Sequence, residues 1–289
     1  MEIGGWDIAV AFAKALAYAG TLGASGAVFF TIYCGALLRD DQRAVVRRLI
    51  GIFVILGAAA SGLRILLLCG SMGGNPASMI DASFLSMTLS GGEGRATGMR
   101  ITGLVFTSFA ISKNPVFRAP AIVGALIAAT SFAWIGHVHA LPSHFAPTLL
   151  LCLHLLCAAF WLGALAPLWV IAAGGNEAQI ATAAARFGML ALRVVALLLA
   201  AGASLLWMLI DDAAQFWRSG YGCTMAAKLL AVALILGFAA WNKLSLTPKL
   251  LERHAGAVRS FRRSVSAEIF LGALILTVTA ALTTFSGPS

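Results

Sequence analysis

The chain is 289 residues long, 60% hydrophobic and only 11% charged. Soluble domains carry about 25% charged residues, so this composition excludes a soluble globular protein. The apolar stretches are long and unbroken, which also excludes an outer-membrane barrel built from roughly 10-residue alternating strands. The net charge of +9 fits lysine and arginine gathered in the cytoplasmic loops of a membrane protein. It is not read as a nucleic-acid surface. The expected class is all-α, a polytopic membrane helix bundle forming one integral membrane domain over residues 1–289.

Eight apolar segments follow one another, each near the roughly 20 residues that cross a bilayer as a helix. The first runs from about Ile8 to Leu38 and has no basic region ahead of it, so it is expected to be a retained span. The second covers about Leu49 to Cys69, and the third, the shortest, about Thr97 to Ser112. Then come about Ala119 to His139, Thr148 to Ala173, Phe187 to Ile210, Thr224 to Leu244 and Val265 to Phe285.

The loops set the expected orientation. Arg39, Arg43, Arg47 and Arg48 lie between the first two spans, and Lys113 and Arg118 between the third and fourth. Arg186 follows the fifth, and Lys243, Lys249, Arg253, Arg259, Arg262 and Arg263 precede the last. Placing this set in the cytoplasm puts both termini on the other side, the periplasm of a bacterium.

Between the second and third spans, Met72, Met79, Met87, Phe84 and Leu85 lie among glycines and serines. Two readings stand for this stretch: an interfacial loop touching lipid, or an entry surface for a soft metal, since thioethers suit Cu(I).

Four of the five histidines, His137, His139, His144 and His154, lie where the fourth span gives way to the fifth. Pro142 and Pro147 break the chain there. At 1.5 Å per residue, His154 sits about 10 Å inside the fifth span. His137 ends the preceding helix, and a short loop makes the two helices antiparallel neighbours, so both imidazoles can meet on one ion. His139 joins them only if the helix unwinds at Val138, and His144 is a loop residue. Cys157 and Trp161, at i+3 and i+7 from His154, share its face. Cys157 is either a soft ligand or packing, and Trp161 is a wall that excludes water.

Arg64, Lys228 and Glu268 are ionisable residues inside apolar spans. Arg64 needs a partner or must snorkel. Lys228 is expected to snorkel, and Glu268 to pair with Arg262 or Arg263. The five cysteines show no disulfide pattern.

Several motifs resemble the CopD family of copper resistance proteins, which are bacterial inner-membrane proteins. Gly136–His137 and the run H-L-L-x-A-A-F-W-L-G from His154 to Gly163 are similar to it. So are Arg186–Phe187, Y-G-x-x-x-x-x-K from Tyr221 to Lys228, W-N-K-L-x-L-x-P-K-L from Trp241 to Leu250, and R-R-S-V-x-A-E from Arg262 to Glu268. The C-terminal part, about 186–285, resembles the family's C-terminal domain. Thr88 to Arg95 is similar to an N-terminal element of the family.

The resemblance implies copper handling at the inner membrane, often with a periplasmic copper-binding partner of the CopC type. It carries His137 and His154 as functional positions but not Cys157. The expectation is a non-enzymatic copper transporter taking copper, as Cu(I), toward the cytoplasm. His137 and His154 are its ligands, and His139 or a methionine such as Met87 is a possible third. Two other readings stay open: a haem b-binding oxidoreductase with paired histidines, and a non-transporting copper-binding assembly factor.

Overall fold

The computed structural model describes residues 4–135, 145–210 and 219–285. Among the described residues every regular element is helical. Helix α1 is Gly5–Cys34, α2 is Asp40–Gly73, α3 is Ala82–Ser90 and α4 is Gly92–Thr107. Then come α5, Arg118–Thr130; α6, Phe145–Gly174; α7, Glu177–Leu209; and α8, Gly220–Trp241. Helix α8 runs through a π-helical turn, Asn242–Leu246, into Thr247–Leu251, and α9 is Ala257–Phe285.

Among the described residues, seven helical segments are long and apolar enough to cross a membrane. The third expected span is the exception. It forms α4 and a tighter continuation, Ser108–Ile111, and Glu93, Arg95 and Arg100 dilute its apolar character. It also starts earlier than its hydropathy suggests. Extended Gly91 ends α3 and opens α4 at once. The segment before it is held by local caps. Gly74, at φ 71°, turns the chain out of α2, and the Asp81 carboxylate accepts the Ser83 and Phe84 N–H groups at the start of α3.

Helix α1 is the pillar of the bundle and packs on α2, α6, α9 and α5. Its small residues permit this. Ala13, Ala17, Ala24 and Ala27 are wholly buried. Gly20 lies against Gly57 of α2, and Gly26 against Ala159 and Gly163 of α6, with backbone meeting backbone. A Cβ added at Gly26 would stand 2.6 Å from Gly163 Cα. Close helix approach through small residues is how membrane helices gain dispersion energy without a hydrophobic drive.

Lys14 Nζ near the start of α1 donates to the Thr283 carbonyl near the end of α9, at 3.0 Å. The two ends of the described chain therefore lie at one end of the bundle. The loops bearing Arg39, Lys113 and Arg253 lie at the other, here called the basic end.

Buried charge concentrates in α1, α2 and α4. Arg64 finds its partner in Glu93: the guanidinium donates to both carboxylate oxygens, with Nη2 to Oε1 at 2.7 Å. Arg100, only 1% exposed, donates from Nε to Ser131 Oγ at 3.1 Å and from Nη1 to Ser61 Oγ at 3.3 Å. Its guanidinium carbon stands 3.7 Å from the Phe132 ring centroid. Lys14 lies within electrostatic reach of all three charged neighbours. Lys228 is half-buried.

The expected pairing of Glu268 with Arg262 or Arg263 is not found. Glu268 Oε1 accepts instead from Asn242 Nδ2 in the π-helical turn. Both arginines are exposed.

Two outcomes test this packing. Gly26→Ala should destabilise the protein by about 2 kcal/mol through overpacking, seen as a melting temperature several degrees lower in detergent; Gly26→Val should fail to give monodisperse protein. Glu93→Ala should cost about 3 kcal/mol by stranding a buried guanidinium, whereas Arg64→Met with Glu93→Leu should recover most of it. Equal losses for the single and double variants in the same melting assay would contradict the second expectation.

Candidate functional site

His154 lies in the third turn of α6, facing α7 and part-buried. Its Nδ1 is 3.1 Å from the Leu198 carbonyl oxygen. A carbonyl can only accept, so Nδ1 carries the ring proton and donates it. The neutral imidazole is thereby fixed as one tautomer, with its remaining lone pair on Nε2. A backbone carbonyl that takes one ring N–H and leaves the other nitrogen free is the usual support of a metal-binding histidine. Gly202, one turn beyond Leu198, makes room for the ring: a Cβ there would meet Cε1 at 3.0 Å and Nδ1 at 3.2 Å.

Among the described residues a basic side chain lies nearby. Lys228 of α8 is within electrostatic reach of His154.

Cys157 and Trp161, 7% and 3% exposed, follow on the buried side of α6. Both belong to the main apolar core, with Phe30, Leu168, Phe187 and Leu198. Trp161 packs in that core about two turns further along α6 than His154, toward the basic end. The thiol of Cys157 is embedded in that core.

His137, His139 and His144 lie outside the described residues, so their relation to His154 is not part of this geometry. Among the described residues no group of three or more His, Cys, Asp or Glu side chains is placed to hold a metal ion. Met87 stands elsewhere. With Met72 it lines a cleft between α2, α3 and α4, while His154 sits between α6 and α7.

Sequence reasoning missed the support of His154. Leu198 contributes only its carbonyl, which no side-chain pattern reveals. Gly202 is one glycine among many; the signal was its spacing of four from Leu198, which puts both on one helix face. Asn242 was quoted only as part of a motif, and its link to Glu268 depends on the π-helical turn.

Two family patterns match the chain. One, described as "Copper resistance protein D", matches residues 181–282. The other, described as "Copper resistance protein D-like, N-terminal domain", matches residues 6–142. No curated protein and no solved structure is similar enough to match. The N-terminal pattern takes in α1 to α5 and the first part of the histidine cluster; the C-terminal one takes in α7, α8 and nearly all of α9. His154 and α6 lie between them, joined to both through α1 and α7. With the two patterns accounting for most of a helical, membrane-spanning chain, the protein belongs to the copper resistance protein D family.

Proposed function

We propose that this protein is a multi-pass copper transporter of the bacterial inner membrane that moves copper from periplasm to cytoplasm, within a role in copper homeostasis or resistance. Family membership supports the metal. The positive-inside distribution supports the orientation: the basic end is cytoplasmic and both termini are periplasmic. The whole chain acts as a single membrane domain. A periplasmic CopC-type copper-binding protein is the proposed donor.

The observation that carries the site is the Nδ1–H···O=C bond from His154 to Leu198. It leaves Nε2 as the one lone-pair donor of an oriented, part-buried imidazole on the side of the bundle where copper enters. His137, and His139 if the chain unwinds beside it, complete the proposed ligand set. A small number of imidazole ligands binds copper and still releases it. Trp161 closes the site toward the core. His144 guides ions inward, and Cys157 packs beside the path. No G-x-x-x-x-G-K-[ST] phosphate loop is present in the sequence, so energy comes from the ion gradient or from exchange with partners.

Copper accumulation in cells and uptake by proteoliposomes test this reading. His137→Ala with His154→Ala should abolish both, and unchanged accumulation would refute the assignment. Gly202→Val leaves every proposed ligand in place but pushes the His154 ring off Leu198. It should weaken copper binding about 10–100-fold, the usual cost of losing a ligand's outer support.

A further inference from the structure

Sulfur gathers at a second place, in the proposed entry half and away from His154. Between α2, α3 and α4 lies a cleft of about 220 Å³ lined by Leu68, Met72, Met87, Thr88, the glycines at 91 and 92, and Glu93. Thr88 Oγ1 is 3.4 Å from Cys69 Sγ and donates to Met72 Sδ at 3.8 Å. These contacts make one chain: the Cys69 thiol donates to the Thr88 hydroxyl, which donates to the Met72 thioether. Met72 and Met87 line the cleft and are about half exposed, while Cys69 is wholly buried behind Thr88, outside the lining. None of the three sulfur side chains belongs to the apolar core clusters.

Glu93 at the rim is not free to act as a hard ligand, because Arg64 engages both its oxygens. The donors that remain are soft. Thiolate and thioether ligands select Cu(I) over hard divalent ions. Two sulfurs on one ion stand at most about 4.6 Å apart, twice a metal–thiolate bond of about 2.3 Å. Cys69 and Met72 already touch a single hydroxyl, and methionine's three torsions let Met72 and Met87 close on an ion.

We propose that this cleft is a Cu(I) entry site, built from Cys69 Sγ, Met72 Sδ and Met87 Sδ and held by Thr88. It captures the ion before the histidine site does, and it rests on the copper reading above. Binding replaces the Cys69 S–H bond with a sulfur–copper bond and releases the proton to water at the cleft mouth. The copper stays Cu(I) and no electron moves. A second cleft of about 310 Å³, lined by Gly92, Arg95, Ala96, Met99 and Trp134, shares Gly92 with the first. It reaches Trp134, near the end of the described part of the fourth apolar segment.

The full-length protein in detergent is titrated anaerobically with Cu(I) against a chromogenic chelator, and its X-ray absorption spectrum is recorded. Wild type should hold copper with both sulfur and nitrogen scattering. The triple variant Cys69→Ala, Met72→Leu, Met87→Leu should lose one equivalent and the sulfur shell while keeping the nitrogen shell. His154→Ala should do the reverse. Thr88→Val should weaken the sulfur site about tenfold without changing the stoichiometry. A triple variant with unchanged stoichiometry and sulfur scattering overturns the entry site. If that variant fails to fold, as judged by its melting curve, the single Met87→Leu change at the cleft mouth decides, and unaltered Cu(I) affinity there counts against the site. A wild-type protein that binds no Cu(I) overturns the copper reading, and the entry site with it.

Discussion

The bundle depends on how closely its first helix can be approached. Where Gly20 meets Gly57 and Gly26 meets Gly163, no side chain separates the backbones. Lipid offers apolar side chains as good a solvent as their neighbours do, so fit and close dispersion contact must hold the helices together. Small residues on α1 give that fit on several sides at once. This fixes the register of α2 and α6 on a common axis. One consequence is the position of His154, about two and a half turns before Gly163 on α6 and so on its opposite face. Another is the position of Ser61 and Arg64, one and two turns beyond Gly57 on α2.

The two halves of the chain handle polarity differently. In α1, α2 and α4, three cations share the interior with one carboxylate, supplemented by two serine hydroxyls, a carbonyl and an aromatic face. In α6 to α9 the inward ionisable groups stand apart from one another's hydrogen bonds: the His154 imidazole on a carbonyl and the Glu268 carboxylate on an amide. The family patterns divide along nearly the same line.

Much of this was legible in the sequence. Apolar run length gave the helices, and loop arginines gave the basic end. His154 stood out because an ionisable group in a span demands a reason. Partners were harder to read. Glu93 lies 29 residues from Arg64 across a reversal of the chain, and nothing local announces the pairing. Glu268 misled through proximity. Arg262 and Arg263 precede it by six and five residues, and at 3.6 residues per turn those positions project about 120–140° away, out of the bundle. The amide that does reach Glu268 arrives because a π-helical turn shifts the face of the neighbouring helix by one residue.

The buried guanidinium groups also bear on how the protein is made. A lone arginine at the centre of an inserting helix costs roughly 2.5–3.5 kcal/mol, and α2 emerges carrying Arg64 well before Glu93 has been synthesised. Helix α4, short and bearing Arg95 and Arg100, is poorly equipped to stay in lipid by itself. Their complements lie on each other and on the end of α5. The N-terminal half is thus a set of mutually dependent helices, whose buried guanidinium groups find their partners only once the segment ending in Ser131 is in place. The Thr283 carbonyl of α9 accepts from Lys14 and ties the last described helix back onto the first.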